Sequence, residues 1–234
     1  RPCGRQGLRK TNSSSSEEAM RTTSVITALI LSLSLLMPGK APGDELNESF
    51  FPLKEGMQWE YRVMSAGGTP KKLIITNLAP RQVNGTNVTP RKWDLGGTTF
   101  FQFMKKDETG IYRYAEQAGD KGPPTLITPI ECHLKFPIAL GTSWKLTTKV
   151  GGSTLNLNLT IESVSDEVKV PAGTFQDCVE VKQVGGNDAG AEVMGYEWYA
   201  PKVGVVKSMV TIKKKSKEKT VTEVQTYELT SFKP

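Results

Sequence analysis

The chain has 234 residues, 30 basic and 24 acidic, with 37% apolar side chains, three cysteines and a single histidine. That is enough apolar chain to build a domain with its own core, and it excludes the low-hydrophobicity, high-charge regime of disordered proteins. One histidine, with no Cys-x-x-Cys or His-Glu-x-x-His spacing, excludes the usual zinc sites, and no motif calls for a cofactor.

Residues 1–19 lack an initiator Met and hydrophobic periodicity, and they contain a run of four serines (13–16). We read them as a mistranslated upstream extension, with Met20 as the true start; Glu17 and Glu18 require purine-rich codons, as in a bacterial ribosome-binding site. Residues 20–41 have the layout of a signal peptide: Arg21, the uncharged apolar run VITALILSLSLLM (25–37), then Gly39 and Ala41 as the small residues before a cut at Pro42. The run is shorter than the ~20 residues needed to cross a bilayer. The expected product is therefore exported, periplasmic or extracellular, without a transmembrane span. Losing residues 1–41 removes six basic and two acidic side chains and leaves a net charge of only +2. The high pI is mostly leader, which argues against a nucleic-acid partner.

The mature chain opens on FPLKEGMQWEY (51–61), and FPIALGTSWKL (136–146) repeats its outline. Phe51, Pro52, Gly56 and Trp59 recur as Phe136, Pro137, Gly141 and Trp144, each displaced by 85 residues. We read a single β domain over 48–234 with pseudo-repeats at 51–133 and 136–232. Proline suits the entry to a first strand, glycine a tight turn, and tryptophan a core cap. The alternative makes Trp59 and Trp144 the lining of a ligand pocket.

Alternation supports the strand reading along the rest of the chain. Leu155, Leu157, Leu159 and Ile161 form one series, and Asn156, Asn158, Thr160 and Glu162 the other. One dry face and one wet face is the signature of an antiparallel sheet. Residues 100–104, 205–212 and 221–229 are rich in β-branched and aromatic residues, with turn sequences at 170–173 (VPAG) and 200–204 (APKVG). The expected fold is all-β: an antiparallel curved sheet or partly open barrel built from two similar halves, with a two-sheet sandwich as the alternative. The lysine-rich segment 213–219 reads as a solvated hairpin tip.

The stretches FPLKEGMQWEY, VPAGTFQDCVEV (170–181) and YEWYAPKVGVVK (196–207), in this order, resemble the TapB-like group of exported bacterial proteins over nearly the whole mature chain. The resemblance implies an envelope-associated β protein. It brings no established activity and no catalytic residues.

Cys3 belongs to the leader, which leaves Cys132 and Cys178. An even pair in an exported chain reads as a disulfide, and closing that loop would stabilise the fold by roughly 4 kcal/mol. Cys178 alternates with Gln176, Glu180 and Lys182, so it falls in a polar-facing series where a free thiol would be oxidisable. Otherwise the two stay separate, Cys132 in an apolar series and Cys178 exposed.

No nucleophile elbow, phosphate loop or dinucleotide fingerprint is present, and His133 is a poor member of any triad beside Cys132. Three readings follow. The first is a non-enzymatic module binding a hydrophobic ligand or envelope component on a concave apolar face, with Trp59, Trp144, Trp198 and Tyr199 as candidate aromatics. In this reading the strand around Trp198 shows one aromatic to the core and one to solvent, and Tyr199→Ala should leave the fold intact. The second is a structural or assembly protein that meets an envelope protein through its surface. The third is a carboxylate-dependent hydrolase, with two converging acids and a raised pKa on one; Asp107–Glu108 and Asp166–Glu167 are the adjacent pairs.

Overall fold

The computed structural model describes residues 49–150, 152–215 and 220–234. The expected extension (1–19), the expected signal peptide (20–41) and residues 216–219 of the lysine-rich segment lie outside them. Thirteen strands follow in order. The first seven are β1 (Gln58–Ser65), β2 (Lys71–Asn77), β3 (Arg81–Val83), β4 (Thr86–Leu95), β5 (Thr98–Asp107), β6 (Gly110–Ala118) and β7 (Thr125–Lys135). Then come β8 (Ser143–Val150), β9 (Ser153–Val170), β10 (Gly173–Asn187), β11 (Glu192–Ala200), β12 (Gly204–Lys215) and β13 (Thr220–Lys233).

Twelve of them form one antiparallel sheet in the order β7-β6-β5-β4-β2-β1-β13-β12-β11-β10-β9-β8, and the sheet curls into a nearly closed barrel with one unsealed seam. Short β3 pairs only with β4. Every ladder except β1–β13 joins strands close in sequence, so short turns set most of the registers. β13 returns to β1, where Trp59 faces Phe232 and their rings lie 5.8 Å apart.

The strand signals in the sequence translate directly. Leu157, Leu159 and Ile161 are buried, while Asn156, Asn158 and Glu162 are exposed. β9 ends at Val170 and β10 begins at Gly173; β11 ends at Ala200 and β12 begins at Gly204, as the two turn sequences require. The two Phe-Pro segments share local geometry. Gly56 and Gly141 both sit at φ +82°, which favours glycine, and each precedes a strand. Gly56 N–H donates to Asn77 O and Gly141 N–H to Ile161 O, at 3.0 and 2.9 Å. Phe51 and Phe136 are both buried.

The seam lies between β7 and β8, which run side by side; among the described residues no ladder joins them. β7 carries Pro129, which has no N–H for a ladder, and its register against β6 slips twice. Side chains do the joining. The Trp144 indole Nε1–H donates to Cys132 O at 2.9 Å. Arg113 bonds Glu131 through Nε and Nη2 at 2.9 and 2.8 Å, and Nη2 also reaches Thr148 Oγ1 on β8 at 3.2 Å.

The expected Cys132–Cys178 disulfide does not form: both thiols are free. Cys132 is on β7 and Cys178 on β10, with β8 and β9 between them. At about 4.8 Å per strand spacing, that separation far exceeds the ~7 Å limit between bridged Cα atoms. Nor does Cys178 face solvent; it is fully buried. The β9–β10 register shifts on both sides of Cys178, and Asp177 adopts φ +53°. This bulge reverses the alternation and turns the thiol into a cluster with Trp59, Val168 and Leu229. Burial pushes both thiols up to about 11, with Asp166 and Asp177 adding to the shift at Cys178. They stay protonated and unreactive at neutral pH.

Candidate functional site

The barrel interior is not filled. A cavity of about 210 Å³, partly open to solvent, lies among the side chains of Phe51 and of eight strands, β1, β2, β4, β5, β7, β11, β12 and β13. One part of its wall is apolar or aromatic: Phe51, Leu73, Ile75, Trp93 and Val205. The other part is polar: Tyr61, Arg91, Gln102, His133, Glu197, Tyr199, Ser208 and Tyr227. Strand registers explain the gathering. Leu73, Ile75 and Asn77 oppose Leu95, Trp93 and Arg91 across β2–β4, so all six share the inward face. Glu197 opposes Ser208 across β11–β12, and Ser208 opposes Tyr227 across β12–β13.

Several of these polar groups have partners. The Tyr61 hydroxyl donates to Val205 O at 2.7 Å, and that of Tyr199 to Glu197 Oε2 at 2.6 Å. Burial, with the Glu197 charge, drives both phenols well above their ordinary range, so they remain neutral donors. Arg91 is different. It is 7% exposed, and its guanidinium lies over Phe51 at 4.7 Å and Trp59 at 4.9 Å. Among the described residues it makes no side-chain hydrogen bond or ion pair, and its Nε is buried without an acceptor, as is Trp93 Nε1. Burial lowers its pKa, but a guanidinium stays charged at any physiological pH.

At the seam a groove of about 390 Å³ runs between residues 125–131 of β7 and 147–149 of β8. Its base is the Arg113–Glu131 pair. His133, on the cavity wall, places Nε2 3.8 Å from Glu131 Oε2, so groove and cavity share that wall.

The four aromatics singled out in the sequence go to different places. Trp59 is buried, donates to Val203 O at 2.6 Å and reaches the site only by stacking on Arg91. Trp144 is half-buried at the seam and lines no part of the cavity. Tyr199 is on the cavity wall and 1% exposed, so it is the core member of its pair. Trp198 faces outward, donating to Asp166 Oδ2 at 3.2 Å beneath Lys207 Nζ.

Arg91 and Glu197 escaped the sequence reading. Their signal is faint but real: each is a charged residue in the apolar phase of its strand, Arg91 with Trp93 and Leu95, Glu197 with Val193 and Tyr199.

No family model and no curated protein matches the chain. Among solved structures it is similar to a candidate exported protein of YmcC-like fold from Bacteroides fragilis, at 18% identity over 79% of this chain and 99% of that one, with a TM-score of 0.45. A candidate lipoprotein from Parabacteroides distasonis is similar at 15% identity, over 79% and 98% of the two chains, with a TM-score of 0.41.

Two acids do converge, but not the adjacent pairs. Asp166, on β9, lies against Glu180, on β10. They sit beside Trp198 and line neither the cavity nor the seam groove. Burial first, then the hydrogen bond and charge of Asp166, push the Glu180 carboxyl up to about 7. A raised folded-state pKa means that this group's stabilisation is full below about 4.5, the ordinary value, and is lost as pH rises through about 7. Glu180→Gln should therefore leave the thermal midpoint unchanged at pH 5 and raise it at pH 8. For a partly solvated group we expect on the order of 1 kcal/mol, or about 2–4 °C. Parallel midpoint curves from pH 5 to 8 would show that Glu180 is not the titrating group.

Proposed function

We propose that this is an exported, non-enzymatic binding protein that holds a small hydrophobic ligand inside its barrel. The carrying observation is the cavity. A chain whose core were selected for packing alone would fill such a space, because unfilled volume forfeits dispersion contacts and costs stability. Here aromatic and aliphatic walls meet a few convergent polar groups, the usual composition of a ligand site. The cavity is larger than a 150 Å³ apolar void that admits benzene, yet below the common range for drug-sized ligands. The ligand is accordingly small, not a whole lipid. Export rests on the leader at 20–41, and the resemblance to the TapB-like group agrees with an envelope location.

Native mass spectrometry of the protein purified from an export-competent host tests the reading. The expected result is a reproducible added mass, below that of a membrane lipid, which disappears on denaturation. A clean apo mass that persists across hosts, with no uptake of added small hydrophobic compounds, would remove the proposal.

The seam favours a second reading, recognition of an envelope protein by strand addition. β7 is unpaired on that side, and Leu126 and Ile130 are 43% and 47% exposed along it. Pro129 in the middle of the strand limits how many ladder bonds such a partner could make.

A further inference from the structure

We propose that the cavity ligand is a small apolar carboxylic acid, its carboxylate paired with the buried guanidinium of Arg91. The inference rests on the ligand-binding reading above and adds the chemical class.

An arginine this deeply buried normally has a carboxylate or several carbonyls around it, since an uncompensated charge in a protein interior is strongly unfavourable. Arg91 has neither. The one acid on the cavity wall, Glu197, is taken by the Tyr199 hydroxyl and forms no ion pair with Arg91. Phe51 and Trp59 cover the faces of the guanidinium, so what remains free is its hydrogen-bonding edge. That edge is a planar fork of N–H donors, matched by the two oxygens of a carboxylate.

Trp93 Nε1 adds a second buried donor without an acceptor on the same cavity wall. A third buried nitrogen on the wall, His133 Nε2, also lacks a hydrogen bond but lies 3.8 Å from Glu131 Oε2; Arg91 and Trp93 can only donate, and an ionised carboxylate is acceptor-only. A neutral hydrocarbon would leave both donors unsatisfied, and one monocation balances a monoanion better than a phosphate dianion. Leu73, Ile75 and Val205 supply the contact for the apolar body. The volume suits one aromatic ring or a short aliphatic chain rather than a long acyl tail.

The test is titration calorimetry on the full mature chain with phenylacetate and octanoate, beside their uncharged counterparts phenylacetamide and 1-octanol. At least one acid should bind at least tenfold more tightly than its neutral counterpart. Arg91→Met, which keeps an unbranched apolar stem against Phe51 and Trp59, should abolish that preference while retaining the neutral compound. Equal affinity for acid and neutral forms in the parent protein would overturn the carboxylate assignment and leave the cavity reading standing. An acid preference unchanged in Arg91→Met would overturn the role of Arg91. Binding of none of the four compounds would remove both readings. The acid–neutral comparison needs only the parent protein, so it decides the matter even if the variant does not fold.

Discussion

Replacing Glu131 by Gln should lower the free energy of unfolding by about 3–5 kcal/mol, the range for breaking a buried ion pair from one side. Glu131 is 3% exposed and bonded through both carboxylate oxygens to Arg113, on the neighbouring strand. The variant leaves the half-buried Arg113 with only the exposed Glu116 carboxylate, 3.6 Å from Nη1, as counter-charge, beside a seam that no strand ladder closes. Burial acts to raise the Glu131 pKa, but His133, Arg113 and Thr148 together outweigh it and hold the carboxyl down at about 2. A depressed folded-state pKa gives stabilisation that is complete above about 4.5 and is lost as pH falls through about 2. Urea unfolding at pH 7 and pH 3 is the measurement: the deficit of the variant should be largest at pH 7 and shrink on acidification. Replacing both partners by apolar residues, Arg113→Met with Glu131→Leu, should recover much of the loss, because it removes the desolvation cost along with the attraction. A Glu131→Gln loss below about 1 kcal/mol would mean that the pair is solvated and that the seam is held by packing.

Tyr199→Ala should cost about 3–5 kcal/mol, whereas Trp198→Ala, one residue away, should cost about 1 kcal/mol. Tyr199 is 1% exposed, packs its ring 6.4 Å from that of Phe51 and bonds Glu197. Its removal enlarges an existing cavity and strips the half-buried Glu197 carboxylate of its donor. Trp198, half-buried, loses one bond to Asp166, a stack on Tyr196, a cation–π contact with Lys207 and its packing against the edge of the cluster that holds Cys178 and Val168, but opens no interior cavity. The sequence reading expected the opposite for Tyr199, a displayed ring whose loss the fold tolerates. Alternation shows that two adjacent residues face opposite ways but not which face is inside, and the β11–β12 register shifts between these two. Guanidine denaturation of the two variants side by side decides the assignment; equal losses would contradict it.

Local physics determined much of this protein from its sequence alone. Period-two alternation in residues 155–162, the glycines before Trp59 and Trp144, and the proline–glycine turns at 170–173 and 200–204 each restrict the backbone within a few residues, so the strands in these segments were legible. So was the all-β, partly open barrel, because a chain of short hairpins with one dry face curls on itself to bury that face. What the tertiary structure decided depends on residues far apart in sequence. β13 seals against β1 while β7 and β8 stay unsealed, which places Cys132 and Cys178 on strands too distant to bridge. The bulge at Asp177 re-phases β10 and buries a thiol that uninterrupted alternation would expose, and no composition marks it in advance. In its own segment Arg91 shows only that it shares a phase with Trp93 and Leu95. Only the meeting of β1, β2, β4 and β11 around Phe51 makes it a buried charge without a partner, since desolvation is set by everything that surrounds a group and not by its neighbours along the chain.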